Sequence, residues 1–187
     1  MKRIGITGSL ASGKTTASKI LSARKGPLFS ADLIVKKLYL TKSFKDLLKK
    51  KFEFSSNVNL KNELKKKIFN NKSLIKKLEN IIHPLVRKEM RKFTTRHKSK
   101  PYCFYEIPLL IESKLMKNFD IIIFIKSNKK IRLKRFVNKG GTKNLFKVLN
   151  NRQLIDRKKM KYCDYIVVND KNKKILKENL RSILKKI

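Results

Sequence analysis

Gly8-Ser9-Leu10-Ala11-Ser12-Gly13-Lys14-Thr15 decides the fold. It fits G-x-x-x-x-G-K-[ST], the pattern of a phosphate-binding loop. Ahead of it, Ile4-Gly5-Ile6-Thr7 reads as a short buried strand, and after it Thr16-Ala17-Ser18-Lys19-Ile20-Leu21 continues as a helix. Gly8 and Gly13 let the backbone bend so that successive N–H groups converge on phosphate oxygens at the positive end of that helix. Lys14 then reaches the β- and γ-phosphates, and the Thr15 hydroxyl takes a place beside Mg²⁺. The stretch predicts a nucleotide-binding protein.

Outward from the loop, five β-like runs cover residues 2–7, 27–31, 102–107, 121–126 and 165–169. Several are continuous apolar runs rich in Ile, Val, Phe and Tyr, as expected for strands buried on both faces of a parallel sheet. Helical patterns between them predict βαβ units and an α/β, doubly wound fold. Two insertions stand out. Residues 32–100 read as helices, including 60–69 and 74–93, with turns at 54–59 and 70–73. Residues 128–161 read as a helical hairpin turning at Asn138-Lys139-Gly140-Gly141, and residues 172–186 form a closing amphipathic helix. This layout suits a small phosphoryl-transfer kinase: a core of residues 1–31, 101–127 and 162–187, an acceptor insertion, and a lid at 128–161.

Composition narrows the class. The 187 residues carry 50 Lys+Arg against 13 Asp+Glu, a formal net charge of +37. The charge is mostly Lys, runs along the whole chain and has no RNA-stacking motif beside it, so it reads as codon bias rather than a nucleic-acid surface. No specific nucleic-acid partner is expected, although the field draws in phosphorylated substrates. Cys103 and Cys163 sit in apolar contexts without C-x-x-C spacing, which suits core packing in a reduced cytosol. The longest apolar run, Ile121-Ile122-Ile123-Phe124-Ile125, is too short to span a bilayer, and no signal peptide precedes the loop. The expectation is a cytoplasmic protein, a monomer or weak homo-oligomer, with no membrane partner.

Four further residues carry candidate chemistry. Asp32, just past the second strand, is placed either to take an acceptor hydroxyl proton or to cap the helix 33–38. Glu106, at the end of the third strand, is a candidate for the Mg²⁺ shell or the acceptor, with Glu112 a turn further on; an isolated Glu is more often solvated surface. His83-Pro84-Leu85 sets a proline at the first turn of a helix segment that includes Arg87, and His83 reads either as structural or as a ligand group.

Taken with the loop, Ala31-Asp32, Ile82-His83-Pro84-Leu85-Val86-Arg87, Pro108-Leu109-Leu110-Ile111-Glu112 and Cys163-Asp164-Tyr165-Ile166-Val167-Val168-Asn169 resemble the dephospho-CoA kinase family in order and spacing, from Ile4 to Asn169. The resemblance implies a P-loop NTPase-type five-stranded sheet with a helical CoA-side domain and a lid. It also implies ATP-dependent phosphorylation of the ribose 3′-hydroxyl of dephospho-CoA, with ATP and dephospho-CoA as substrates. On this likeness Gly8, Ala11, Ser12, Gly13, Lys14, Thr15 and Thr16 hold the ATP phosphates, and Asn169 closes around the adenine. Asp32 matches the acidic base candidate, and Arg135 matches a lid arginine that clamps the transferring phosphoryl group. Asp32, His83, Arg87 and Glu112 face the acceptor.

The chain departs from the family pattern at four places. Ser30 stands where many relatives have a first aspartate, Ala11 where a third glycine is common, Lys139 where arginine is usual and Gly140 where aspartate is frequent. These changes bear on rate more than on reaction type. Two other readings stay open: another small-molecule or nucleoside-monophosphate kinase of the superfamily, and a basic nucleotide-regulated nucleic-acid binder.

Overall fold

The apolar runs around the phosphate loop become the middle of the sheet in a computed structural model of the chain. The structure describes residues 1–23, 25–54, 59–68 and 71–187. In chain order these form strand β1 (Lys2–Gly8), helix α1 (Lys14–Ser22), β2 (Leu28–Ser30), α2 (Ala31–Leu38), α3 (Lys42–Phe52), α4 (Leu60–Ile68) and α5 (Lys72–Arg96). There follow β3 (Tyr102–Glu106), β4 (Ile121–Lys126), α6 (Lys129–Val137), α7 (Lys143–Asn151), α8 (Asp156–Met160), β5 (Tyr165–Val168) and α9 (Lys173–Leu184). The chain divides into two compact units, Met1–Ser30 with Arg96–Ile187, and Ala31–Thr95.

The first unit holds the sheet. Its strands run in the order β2-β3-β1-β4-β5, every pairing parallel. Side chains alternate between faces along each strand, so both faces need cover. On one face Ile4 and Ile6 of β1, Ile123 and Ile125 of β4 and Val167 of β5 pack against Ala17 and Leu21 of α1 and Leu176 and Leu180 of α9. On the other, Gly5 leaves room for Leu110 and Phe119: a Cβ there would stand 2.8 Å from Leu110 Cδ1. Tyr105, paired in register with Gly5, meets the Phe119 ring edge-on at 5.3 Å. Asp120 ties the open end of the sheet, accepting from the Arg3 backbone N–H at 2.7 Å and from the Arg3 guanidinium. Those bonds hold its carboxyl below the usual carboxylate range. Burial pushes the Cys163 thiol up to about 12 and raises Cys103 as well, so both favour the protonated, packed form.

The second unit is helical. Phe44, Leu48 and Phe52 recur at a four-residue spacing on α3 and bury one face against Leu60, Leu64 and Leu78. Tyr39 meets Phe44 edge-on at 5.2 Å, and Lys67 Nζ donates to the Phe52 carbonyl at 2.7 Å, satisfying an orphan acceptor at the end of α3.

Several expected boundaries move. The second strand is only Leu28–Ser30: Pro27 has no N–H to give to a ladder, and Ala31 already opens α2. Asp32 is therefore not an N-cap; it lies in the first turn of α2, where a carboxylate complements the helix dipole. Pro84 is not at the start of a helix either. It lies inside the 25-residue α5, which runs on across it. A proline there removes the hydrogen bond to the carbonyl four residues back, a local cost the rest of a long helix can absorb. The turn expected at 54–59 falls on residues 55–58, outside the described residues, as do residues 69–70; Lys72 and Ser73 are already helical. The hairpin at 128–161 is three helices, with Gly140 at φ +85° in the first connection and α8 added before β5.

Candidate active site

The loop joins β1 to α1 in the middle of the sheet. β1 is flanked by β3 on one side and β4 on the other, so the chain's winding reverses there and a crevice opens at the carboxyl ends of the strands. Gly13 is the N-cap of α1 at φ +94°, and no side chain caps the helix. Its first N–H groups are thus left for an anion. A Cβ on Gly13 would fall 2.2 Å from Asn169 Nδ2, so close approach as well as backbone conformation calls for glycine. Ala11 also adopts a left-handed conformation, φ +58°. For a residue with a Cβ that costs about 1 kcal/mol, which gives a physical reason for glycine at this point in related loops.

Lys14 is nearly buried, and its Nζ donates to the Ser9 carbonyl at 2.8 Å, folded over the loop it serves. The Ser12 hydroxyl is buried without a hydrogen-bond partner among the described residues. An unpartnered polar atom just ahead of an uncapped helix N-terminus fits a phosphate ligand. Thr15 Oγ1 donates to Glu106 Oε1 at 2.5 Å. Glu106 is not solvated surface: it is 2% exposed, at the end of β3 next to β1. A hydroxyl beside a buried carboxylate is an all-oxygen donor set, the kind a hard cation such as Mg²⁺ takes. Thr16 is exposed on the same first turn of α1.

Asn169 and Arg135 close the other side. Asn169 Nδ2 donates to the Ser12 carbonyl at 2.8 Å. Arg135 Nη1 donates to the Asn169 carbonyl at 2.9 Å and to Ser127 Oγ at 3.2 Å. The site residues expected at Gly8, at 11–16, at Arg135 and at Asn169 thus come together in the first unit. Glu112 belongs to this unit too, but its Oε1 is occupied, pairing with Lys159 Nζ at 2.6 Å and accepting from the Leu154 N–H at 3.1 Å. Asp32, His83 and Arg87 belong to the helical unit. His83 and Arg87 share one face of α5, four residues apart, with His83 half-buried and Arg87 exposed.

Three residues bonded to the loop, and Lys159 beyond it, were not read from the sequence. Gln153 Oε1 accepts from the Leu10 N–H at 3.0 Å, and Asp156 accepts from Ser9 Oγ. Arg132 is buried; it donates to the Leu10 carbonyl at 3.3 Å and to Asn150 Oδ1 at 2.8 Å. Burial pushes its guanidinium pKa down, and Asp156 works the other way. Lys159 is fully buried. One signal was available: Asp156 is the sole acidic residue between 128 and 161.

Chemically, the arrangement offers an amide cradle, a lysine and an arginine for a polyphosphate, and oxygen donors for a cation. That is the equipment of phosphoryl transfer. The comparisons with known proteins agree. The chain matches the family model described as dephospho-CoA kinase over residues 2–174. A protein named dephospho-CoA kinase from Bartonella henselae is 31% identical over 192 residues, spanning 100% of this chain and 98% of that one. The solved structure of a dephospho-CoA kinase from Campylobacter jejuni aligns at a TM-score of 0.66 and 26% identity, covering 99% of this chain and 96% of that one. A Thermus thermophilus structure aligns at 0.84 over 100% of this chain and 97% of its own; at 23% identity it speaks for the fold alone. The fold is that of a P-loop kinase, and the chain belongs to the dephospho-CoA kinase family, the kinases of the last step of coenzyme A biosynthesis.

Proposed function

We propose that this chain moves the γ-phosphoryl group of ATP to the ribose 3′-hydroxyl of dephospho-CoA, releasing coenzyme A and ADP, with its chemistry at the carboxyl end of β1. The observation that carries this reading is the uncapped N-terminus of α1, with Lys14 folded over the loop and Thr15 against the buried Glu106. Family membership favours it over another small-molecule kinase and over a nucleic-acid binder.

In this account the amides and hydroxyls from Ala11 to Thr16 hold the ATP phosphates, Gly8 and Gly13 shape the turn, and Asn169 borders the adenine. Thr15 and Glu106 would hold Mg²⁺, which when bound offsets charge on the β- and γ-oxygens. Asp32 takes the proton of the acceptor hydroxyl as its oxygen bonds the γ-phosphorus and the bond to the β–γ bridging oxygen breaks. Lys14 and Arg135 meet the charge spread over the transferring group. His83 and Arg87 bind the acceptor with Glu112, whose Oε2 is buried and has no hydrogen-bond partner among the described residues. Residues 32–100 form the CoA-side insertion and residues 128–161 the lid. The protein works in the cytoplasm as a monomer or weak homo-oligomer; among the described residues no helix is long and apolar enough to cross a membrane.

The acceptor side has its own test. Arg87→Ala raises the KM for dephospho-CoA by about tenfold or more, the loss of one charge-assisted contact to phosphate, and leaves the KM for ATP nearly unchanged. Steady-state kinetics with each substrate varied in turn reads the split. An equal effect on both constants, or on neither, contradicts an acceptor site on α5.

A further inference from the structure

The first turn of the phosphate loop is held by a distant part of the chain. Leu10 donates its N–H to Gln153 and its carbonyl accepts from Arg132, so both of its backbone groups are engaged. The neighbouring Ser9, 3% exposed, gives its hydroxyl to Asp156, 147 residues away in sequence. None of these ties uses Gly8 or the residues from Ala11 to Thr16 that are assigned to phosphate. The segment between α7 and α8 that carries Gln153 is itself pinned. Leu154 N–H and the fully buried Lys159 Nζ converge on the same Glu112 oxygen. Burying such a pair carries a desolvation cost, and an apolar pair of like volume often folds as well. What the pair does provide is one fixed geometry for the segment.

We propose that Gln153 is a positioning residue for nucleotide binding. With Asp156 it fixes the Ser9–Leu10 turn, and the Glu112–Lys159 pair fixes the segment that presents them. Ala11 gives the reason such a clamp is needed. Its left-handed backbone is strained for a residue with a Cβ, and strained residues persist where their surroundings over-determine them. Bonds to both backbone groups of Leu10, with the Ser12 N–H on the Ser9 carbonyl at 3.1 Å, enclose Ala11 on either side. Released from the clamp, the amides from Ala11 onward no longer converge in advance of the ligand, and nucleotide affinity falls. This inference rests on the reading of residues 8–15 as the ATP-phosphate site.

The test is calorimetric titration of the full chain with ADP, together with steady-state kinetics. Gln153→Met keeps the side chain's length and removes its acceptor. The Kd for ADP rises about tenfold, equivalent to one lost hydrogen bond of about 1.4 kcal/mol, while the KM for dephospho-CoA stays within about twofold. Asp156→Ala moves the same Kd in the same direction. Asp156→Asn, which keeps an oxygen for the Ser9 hydroxyl, stays within about threefold of the parent chain. A parental Kd in both Gln153→Met and Asp156→Ala overturns the inference, as does a loss shared equally by the two substrates, which marks a merely structural role. Absence of ADP binding by the unaltered chain overturns the phosphate-site reading, and the inference with it.

Discussion

Lys14→Ala lowers kcat/KM by at least about a thousandfold while the chain stays folded. The side chain sits on the loop with its ammonium 2.8 Å from the Ser9 carbonyl, beside the uncapped helix N-terminus proposed to hold the β- and γ-phosphates. In the proposed reaction it supplies the cation over charge that grows on the bridging oxygen. No other lysine is bonded into the loop among the described hydrogen bonds, so the +37 of the whole chain offers no substitute at that point. The lost hydrogen bond to Ser9 costs about 1 kcal/mol of stability, too little to unfold a domain whose core runs through both faces of a five-stranded sheet. Circular dichroism checks the fold and a coupled ADP assay checks turnover. Near-parental turnover contradicts the ATP-site assignment.

Arg135→Ala lowers kcat by about two to four orders of magnitude, as loss of a positioned arginine does in other phosphoryl transfers. Its guanidinium is bonded to the Asn169 carbonyl and Ser127 Oγ, and in the proposed reaction its remaining donors meet the oxygens of the transferring group. The KM for ATP changes much less, because Lys14 and the loop amides remain. The lysine at 139 sharpens this expectation. Lys139 is exposed, in the connection between α6 and α7, and lacks the planar fork of the arginine usual there. Lys139→Arg accordingly leaves kcat unchanged or raises it modestly. Full kcat in Arg135→Ala contradicts the lid assignment of residues 128–161.

The parts of the molecule legible in the sequence are those whose signal is local. The loop is a contiguous pattern, and the strand before it and the helix after it are fixed by apolar spacing over a few residues. β4 emerges with the expected bounds because Ile122, Ile123, Phe124 and Ile125 are buried on both faces and nothing competes with that reading. Local signals also mislead. Pro84 suggests a helix start, yet α5 continues through it, since the apolar face of a 25-residue helix outweighs one missing hydrogen bond. Asp32 has the look of a cap, but Ala31 is helical before it.

Long-range ties leave no such pattern. Gln153 with Leu10, Asp156 with Ser9, and Lys159 with Glu112 join residues far apart in sequence through single side chains. Nothing around Lys159 separates it from its lysine neighbours, although it alone of Arg157, Lys158 and Lys159 is buried. Glu106 shows the reverse error. A lone glutamate reads as surface by base rate, and only the pairing of β3 with β1 makes it a buried partner of Thr15.

The central claim is the reaction, and a single incubation tests it most directly. The purified chain, with ATP and Mg²⁺, is offered dephospho-CoA alongside nucleoside monophosphates and small hydroxylated metabolites, and the products are read by mass. The account predicts one new species, dephospho-CoA plus one phosphoryl group, with the mass of coenzyme A and appearing in step with ADP. Phosphorylation of a nucleoside monophosphate or small metabolite while dephospho-CoA is left unchanged, or ATP turnover with no phosphorylated acceptor, would contradict it.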